Sequence, residues 1–345
     1  MASQAQLRSV GAALQQRTPY GRRCVPVFGS GVNIQAARVE GAKDTDDWTG
    51  LLWKIAREVG LSPAEFRRLP DSSLAKWEAL LRGWAIHKKV DPFKAEGELQ
   101  QCVCRELRRQ EQASKHYGLY GEILGAGFGE IVSLNFDRRL ALHSGREQFA
   151  APRKLPLARS AGETLYRRSV IDRGDGQRPT QIWYPHGDTK KFSTLKLGVR
   201  KYGYYIGLLE ERRSRMMRVW RESADMRRPR KESKSPYSLT DMLEFSRQSG
   251  GVTEWFDLLM AAPLVFIGCS LAPDEWPLWW LLHQRARNAV HFPRDKCPET
   301  YILVVCDGKT VPRPHHLRGS PCGLEVVEFP SFDALWAFLR KTFRQ

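Results

Sequence analysis

What this sequence has little of narrows it first. None of its 345 residues falls in an uninterrupted apolar run of about 18, the length a helix needs to cross a bilayer, so a membrane-spanning helix is excluded. The opening residues MASQAQLRSVGAALQQR lack an apolar stretch of about 7 to 15 residues with a small-residue cleavage site, so the expected location is cytoplasmic. Cysteine is sparse and irregular, seven residues with no repeating spacing, which predicts no disulfide framework and a reducing compartment. Acidic residues are in deficit: 38 Asp+Glu face 55 Lys+Arg, a formal net charge of +17 that favours polyanions or an acidic protein partner. Internal repeats and long low-complexity segments are absent as well. What is present, 42% hydrophobic residues over this length, suffices for one large core.

Short apolar runs alternate with helical patterns. The runs are Val25–Gly29, Ile131–Leu134, Gln181–Tyr184, Pro263–Gly268, Tyr301–Cys306 and Leu324–Phe329. Helical spacing appears over Leu51–Val59, Ser73–Lys89, Ala95–Tyr117 and Ser331–Phe343. This alternation predicts an α/β fold, a Rossmann-like parallel sheet with helices on both faces and a helical cap or subdomain. The expected organisation is a basic N-terminal arm over residues 1–24, loose or briefly helical, then one domain over 25–345. That domain carries a helical insertion at 51–127 and a basic insertion at about 200–250. Ten basic and three acidic residues crowd Arg212–Lys234, which reads either as a solvated helix face and loop or as a docking surface for nucleic acid or an acidic subunit.

Four of the apolar runs end in a glycine or polar cluster: VPVFGSGVN, IVSLNFDRRL, QIWYPHGD and LVFIGCSLAPDEW. In a parallel sheet such ends share one rim, where ligands bind. Gly29, Ser30, Gly31, Asn135, Asp137, His186, Gly268 and Ser270 are therefore candidates to line one cleft. A histidine near its ordinary pKa can take one proton, and an asparagine can orient a water or a carboxamide through both donor and acceptor. Asp137 suits a ribose hydroxyl or an ion pair with Arg138 or Arg139. Asp188 and Asp274 read as structural. His315-His316, with no carboxylate or cysteine at ligand spacing, makes a poor metal site, and the seven tryptophans from Trp183 to Trp336 read as core or interface.

The order and content of GSGVN, SLNFD, HGD and IGCSL resemble the SIR2-like (sirtuin-related) NAD-binding domain, in its bacterial antiphage-defence branch. The resemblance spans roughly residues 25 to 306 and extends to Trp48–Leu52, where the family has a tryptophan before a helix. It implies that Gly29, Ser30, Gly31 and Asn33 cradle the pyrophosphate of NAD, Asn33 standing where the family prefers serine. It further implies that Asn135 and Asp137 act at the nicotinamide ribose, that His186 is catalytic, and that Gly268 and Ser270 contact the adenosine side. Deacylating members carry two C-x-x-C zinc pairs and a G-I-P-D-F-R segment. Here Cys102 and Cys104 lie one residue apart with no second pair, and IQAARVEGAKDTDDW follows the turn, so no metal is expected.

The implied activity is NAD+ glycohydrolysis by an effector subunit of an antiphage system, with NAD as substrate. An oligomer or hetero-complex is expected, with a partner such as a sensor or ATPase, a nucleotide pyrophosphatase-like subunit or an Argonaute-type module. The alternatives are an NAD-dependent deacylase or ADP-ribosyltransferase, and a non-catalytic nucleotide- or nucleic-acid-binding subunit.

Overall fold

The computed structural model describes residues 1–18, 21–22, 24–42, 47–150, 163–174, 178–222, 254–289, 298–306, 317 and 323–344. A two-residue ladder, Arg17–Thr18 (β1) with Gly21–Arg22 (β2), precedes the main sheet. The main sheet contains Val25–Phe28 (β3), Glu130–Ser133 (β4), Glu147–Ala150 (β5), Arg168–Ile171 (β6), Thr180–Trp183 (β7), Leu264–Ile267 (β8), Thr300–Val305 (β9) and Glu325–Phe329 (β10). Their order across the eight-stranded sheet is β10-β9-β8-β3-β4-β7-β6-β5. Pairing is parallel from β10 to β7, and β6 runs antiparallel to both β7 and β5. The sheet is thus mixed where a parallel one was expected. The link from Ile171 to Thr180 is too short for the crossover that a parallel pair requires, so β6 and β7 fold back on each other.

Alternating side chains of the central strands feed two cores. Val25, Val27, Val132, Leu264 and Phe266 face one cluster, and Phe28, Ile131, Val265 and Ile267 face the other. The second is covered by Gln4–Gln15 (α1), Ser30–Val39 (α2), Gly118–Gly125 (α7) and the C-terminal helix Phe332–Arg344 (α13). The segment expected as a basic arm therefore carries a docked helix. Ser3 and Gln6 form a reciprocal capping box, and Val10, Ala13 and Leu14 are buried against the neighbourhood of Trp336 and Leu339.

Between β3 and β4 lie Trp48–Glu58 (α3), Pro63–Arg68 (α4), Ser73–Lys88 (α5) and Pro92–Ser114 (α6). Each starts at a side-chain cap: Asp47, Ser62, Ser72 and Asp91, with proline at the first position of α4 and α6. They bury a third core around Leu52, Trp77, Leu99 and Val103, to which Leu195 and Leu197 contribute.

Arg139–His143 (α8) and Glu163–Tyr166 (α9) are short. Gly198–Glu222 (α10), Trp255–Ala261 (α11) and Trp276–Ala289 (α12) flank the first core. The basic stretch begins inside α10. There Arg212 is drawn into the interior by Glu254 (2.7 Å) and Asp257 (2.9 Å), while Arg213 and Arg215 pair along the helix with Glu210 and Glu211. Residues 223–253, with Arg227, Arg228, Arg230 and Lys231, lie outside the described residues, as do His315 and His316. Among the described residues no helix is long and apolar enough to cross a membrane.

Candidate functional site: a crevice at the switch of the sheet

The chain enters the sheet at β3, builds outward through β4 and β7 on one side, and returns through β8 and β9 on the other. Neighbouring strands whose connections leave in opposite directions open a crevice at their carboxyl ends. The register places Phe28 beside both Ile267 and Ser133, so Gly29, Leu134 and Gly268 leave the sheet at one level. Gly29, Ser30, Asn33, Asn135, Asp137, His186, Gly268 and Ser270 all line the resulting crevice, together with Trp48 and Trp77 from the helical cap. Gly31 does not line it.

Glycine is required where the two strand ends cross. A Cβ on Gly29 would lie 2.4 Å from the Gly268 carbonyl oxygen, and one on Gly31 would lie 2.8 Å from the Gly268 Cα. Gly268 has φ +65, and a Cβ there would meet the Val32 nitrogen at 2.7 Å. The N–H groups of Gly29 and Gly31 donate to Ile267 and Gly268 carbonyls at 3.0 Å each. Gly29 caps α2 with no side-chain partner, so the N-terminus of that helix opens at the crevice.

Asn135 donates to the Gly29 carbonyl at 3.1 Å, joining the end of β4 to the turn. Asn33 is held more tightly than a ligand contact requires. Its amide nitrogen donates to Asp137 (2.8 Å) and its oxygen accepts from the Tyr120 hydroxyl (2.9 Å). Of the two uses open to Asp137, the structure displays the ion pair, with Arg139 at 3.5 Å and the Arg139 backbone N–H donating to it at 3.2 Å. Arg139 also reaches Gln110 on α6.

The loop after β7 is fixed from below. Gly187 has φ +86, and a Cβ there would strike the Thr194 carbonyl. Asp188, fully buried, pairs with Arg167 at 2.6 and 2.9 Å, a structural use. The α6 helix braces the same loop. Arg108 and Gln100 donate to the carbonyls of Thr189 and Leu195, and Glu111 accepts from the Thr189 hydroxyl (2.6 Å) and the Arg138 N–H (2.7 Å). Burial pushes the Glu111 carboxyl up to about 7, against the hydrogen bond from Thr189.

His186 is 3% exposed, between the rings of Phe136 and Tyr202, and neither ring nitrogen has a hydrogen-bond partner. Burial, then the Lys196 cation, lower its pKa to about 4, so the imidazole is neutral at pH 7. Its Nε2 lies 3.7 Å from Glu275 Oε2, and the Tyr202 hydroxyl donates to the same oxygen at 3.2 Å. Burial and the neighbouring Asp274 raise Glu275 to about 7. Asp274 points to the cap instead, accepting from Ser72 Oγ (2.9 Å) and the Leu74 N–H (3.1 Å).

Sequence reasoning missed Tyr120, Gln110 and Tyr202, which no motif marks. Arg139 is legible only as an ion-pair candidate for Asp137, and Glu275 lies within the LVFIGCSLAPDEW run with no role of its own. The five described cysteines form no disulfide with one another, and no group of three or more His, Cys, Asp or Glu among the described residues is placed to hold a metal.

No protein-family model matches the chain, and a search of curated proteins finds no significant match.

Proposed function

We propose that this chain is a SIR2-like NAD+ glycohydrolase on a Rossmann-like sheet, the effector subunit of a bacterial antiphage system. A second polypeptide, a sensor or ATPase, a nucleotide pyrophosphatase-like subunit or an Argonaute-type module, brings it into action. One observation carries the reading: the glycine turn of α2, Asn135, Asp137, His186 and the Gly268–Ser270 turn line a single crevice at the switch of the sheet. The open N-terminus of α2 suits a pyrophosphate.

Cleavage of the nicotinamide–ribose bond sends its electron pair to the pyridinium nitrogen and leaves an oxocarbenium-like ribose. Water then bonds to the anomeric carbon and loses one proton. Asn135, tied to the turn by a single donated hydrogen bond, retains its amide oxygen to orient that water. His186 is neutral at pH 7 and without a hydrogen-bonded partner, which fits it to receive the proton.

Purified protein incubated with NAD+, alone and with the product of the adjacent gene, tests this by chromatography of the nucleotides. Nicotinamide and ADP-ribose, linear or cyclic, are expected. His186→Ala abolishes their formation, and Asn135→Ala lowers it at least about a hundredfold, with circular dichroism unchanged. Intact NAD+ in both mixtures, or deacylation of an acyl-lysine peptide in its place, refutes the reading.

A further inference from the structure

We infer that Glu275 is the proton-accepting partner of His186, a residue that acts on the reaction through the imidazole. The inference rests on the NAD+-cleaving reading for its chemical step and on geometry for the pair. Glu275 Oε2 approaches His186 Nε2 to 3.7 Å, and both side chains line the crevice. Among the described residues no lysine or arginine pairs with this carboxylate, whose polar neighbours are the Tyr202 hydroxyl and the neutral His186 imidazole. Other carboxylates near the crevice are tied to structure: Asp137 to Arg139, Asp188 to Arg167, and Asp274 to two donors at the start of α5. Held by one hydroxyl donor and no cation, the carboxylate stands within reach of an imidazole whose two nitrogens have no hydrogen-bond partner, and so is placed to take a proton from it.

The groups facing this pair come from four segments. Tyr202 on α10 donates to Glu275, and Tyr205, one turn further, donates to the Pro185 carbonyl. Lys196, before α10, adds a positive charge that disfavours a lasting imidazolium. Asp274, next in sequence, adds a negative charge that favours a proton on Glu275. Phe136 closes the far side of the imidazole. A proton arriving at His186 is therefore driven onward to Glu275. In the balanced step, the nicotinamide bond breaks, the water oxygen bonds to the anomeric carbon, and the water proton passes through His186 to the Glu275 carboxylate. Solvent removes it when the product leaves. With Glu275 near pH 7, the acceptor is matched to neutral working conditions, as the low pKa of His186 alone is not.

Two readouts test this. In protein labelled with 13C-histidine, the His186 Cε1 resonance, assigned by its loss in His186→Ala, is expected to inflect near pH 7 as the neighbouring carboxyl titrates. Glu275→Gln removes that inflection and Glu275→Asp keeps it, the latter also checking the fold. In NAD+ turnover, wild type loses rate as pH falls through about 7. Glu275→Gln is about 10- to 100-fold slower at pH 8 and flat from pH 6 to 8. An inflection surviving in Glu275→Gln, or absent from wild type, overturns the pair. A Glu275→Gln turnover reduced at every pH with its profile unmoved overturns the relay and leaves a structural role. A wild type that shows the coupled inflection yet leaves NAD+ intact overturns the proposed reaction and retains the pair.

Discussion

On the β3/β8 side of the crevice, main chain packs directly on main chain. Gly29, Gly31 and Gly268 touch through backbone atoms, and any Cβ falls inside van der Waals contact. On the β4/β7 side, side chains carry the load. Arg138, Arg139 and Asp188 are held by Glu111, Gln110 and Arg167, residues 21 to 29 positions away in sequence, and Asp137 by Asn33 and Arg139. The first wall is intolerant of volume and indifferent to pH. The second has room for altered side chains and is sensitive to charge, because each buried ion there depends on one or two partners in a low-dielectric setting.

The largest effect should come from unpairing a charge in the second wall. Arg167→Met leaves Asp188 buried with no cation and only the Lys190 N–H donating to it, and is expected to lower the unfolding free energy by about 3–5 kcal/mol in chemical denaturation. The double variant Arg167→Met/Asp188→Asn should be more stable than the single one. If it is less stable, the second wall is held by shape and not by charge matching. Next is Gly268→Ala in the first wall. Left-handed backbone costs about 1–2 kcal/mol for an L residue, and the 2.7 Å approach to the Val32 nitrogen adds to it. A loss of about 2–4 kcal/mol, equal at pH 5 and pH 8, is expected; a pH-dependent loss would erase the contrast.

A smaller effect concerns Glu111. Its folded pKa of about 7 exceeds the ordinary 4.5, so between those values the folded protein holds a proton that the unfolded chain has released. The unfolding free energy therefore falls as pH rises from 4.5 to 7. Glu111→Gln should make that decline shallower and be more stable than wild type at pH 7 by on the order of 1 kcal/mol. An unchanged slope would mean that Glu111 is ionised in place. Smallest is the basic face of α10. Arg215→Ala removes a surface pair with Glu211 and should change stability by less than about 0.5 kcal/mol, as read by thermal unfolding.

The same contrast explains what could be read in advance. Five of the six parallel strands announce themselves because β3, β4, β7, β8 and β9 bury residues on both faces, which favours short continuous apolar runs, while the edge strand β10 shows alternation, with Val327 and Phe329 buried. The glycine turn is legible because steric need leaves glycine no substitute. By contrast, β5 and β6 escaped. Their partners are polar: Glu147 accepts from Arg138 and Ser169, and Ser169 meets Tyr184, so no apolar run marks them. The α6 brace escaped for a similar reason. Gln100, Arg108 and Glu111 resemble a solvated helix face until a loop some 80 to 95 residues later folds onto them. Arg212, counted with a solvated basic stretch, proves to be an interior ion-pair member whose partners lie beyond residue 253.

The central position of β3 also sets a timetable for the molecule. It is the earliest strand of the main sheet to be synthesised, yet it pairs with β4, about a hundred residues later, and with β8, which begins at Leu264. At about 5–20 residues per second, β8 follows β3 from the ribosome after on the order of 10–50 s. During that interval Val25–Phe28 is an apolar ribbon with one side open, a substrate for chaperones and a hazard for aggregation. The crevice is then completed late, since no nascent chain shorter than 268 residues contains both strand ends of its first wall.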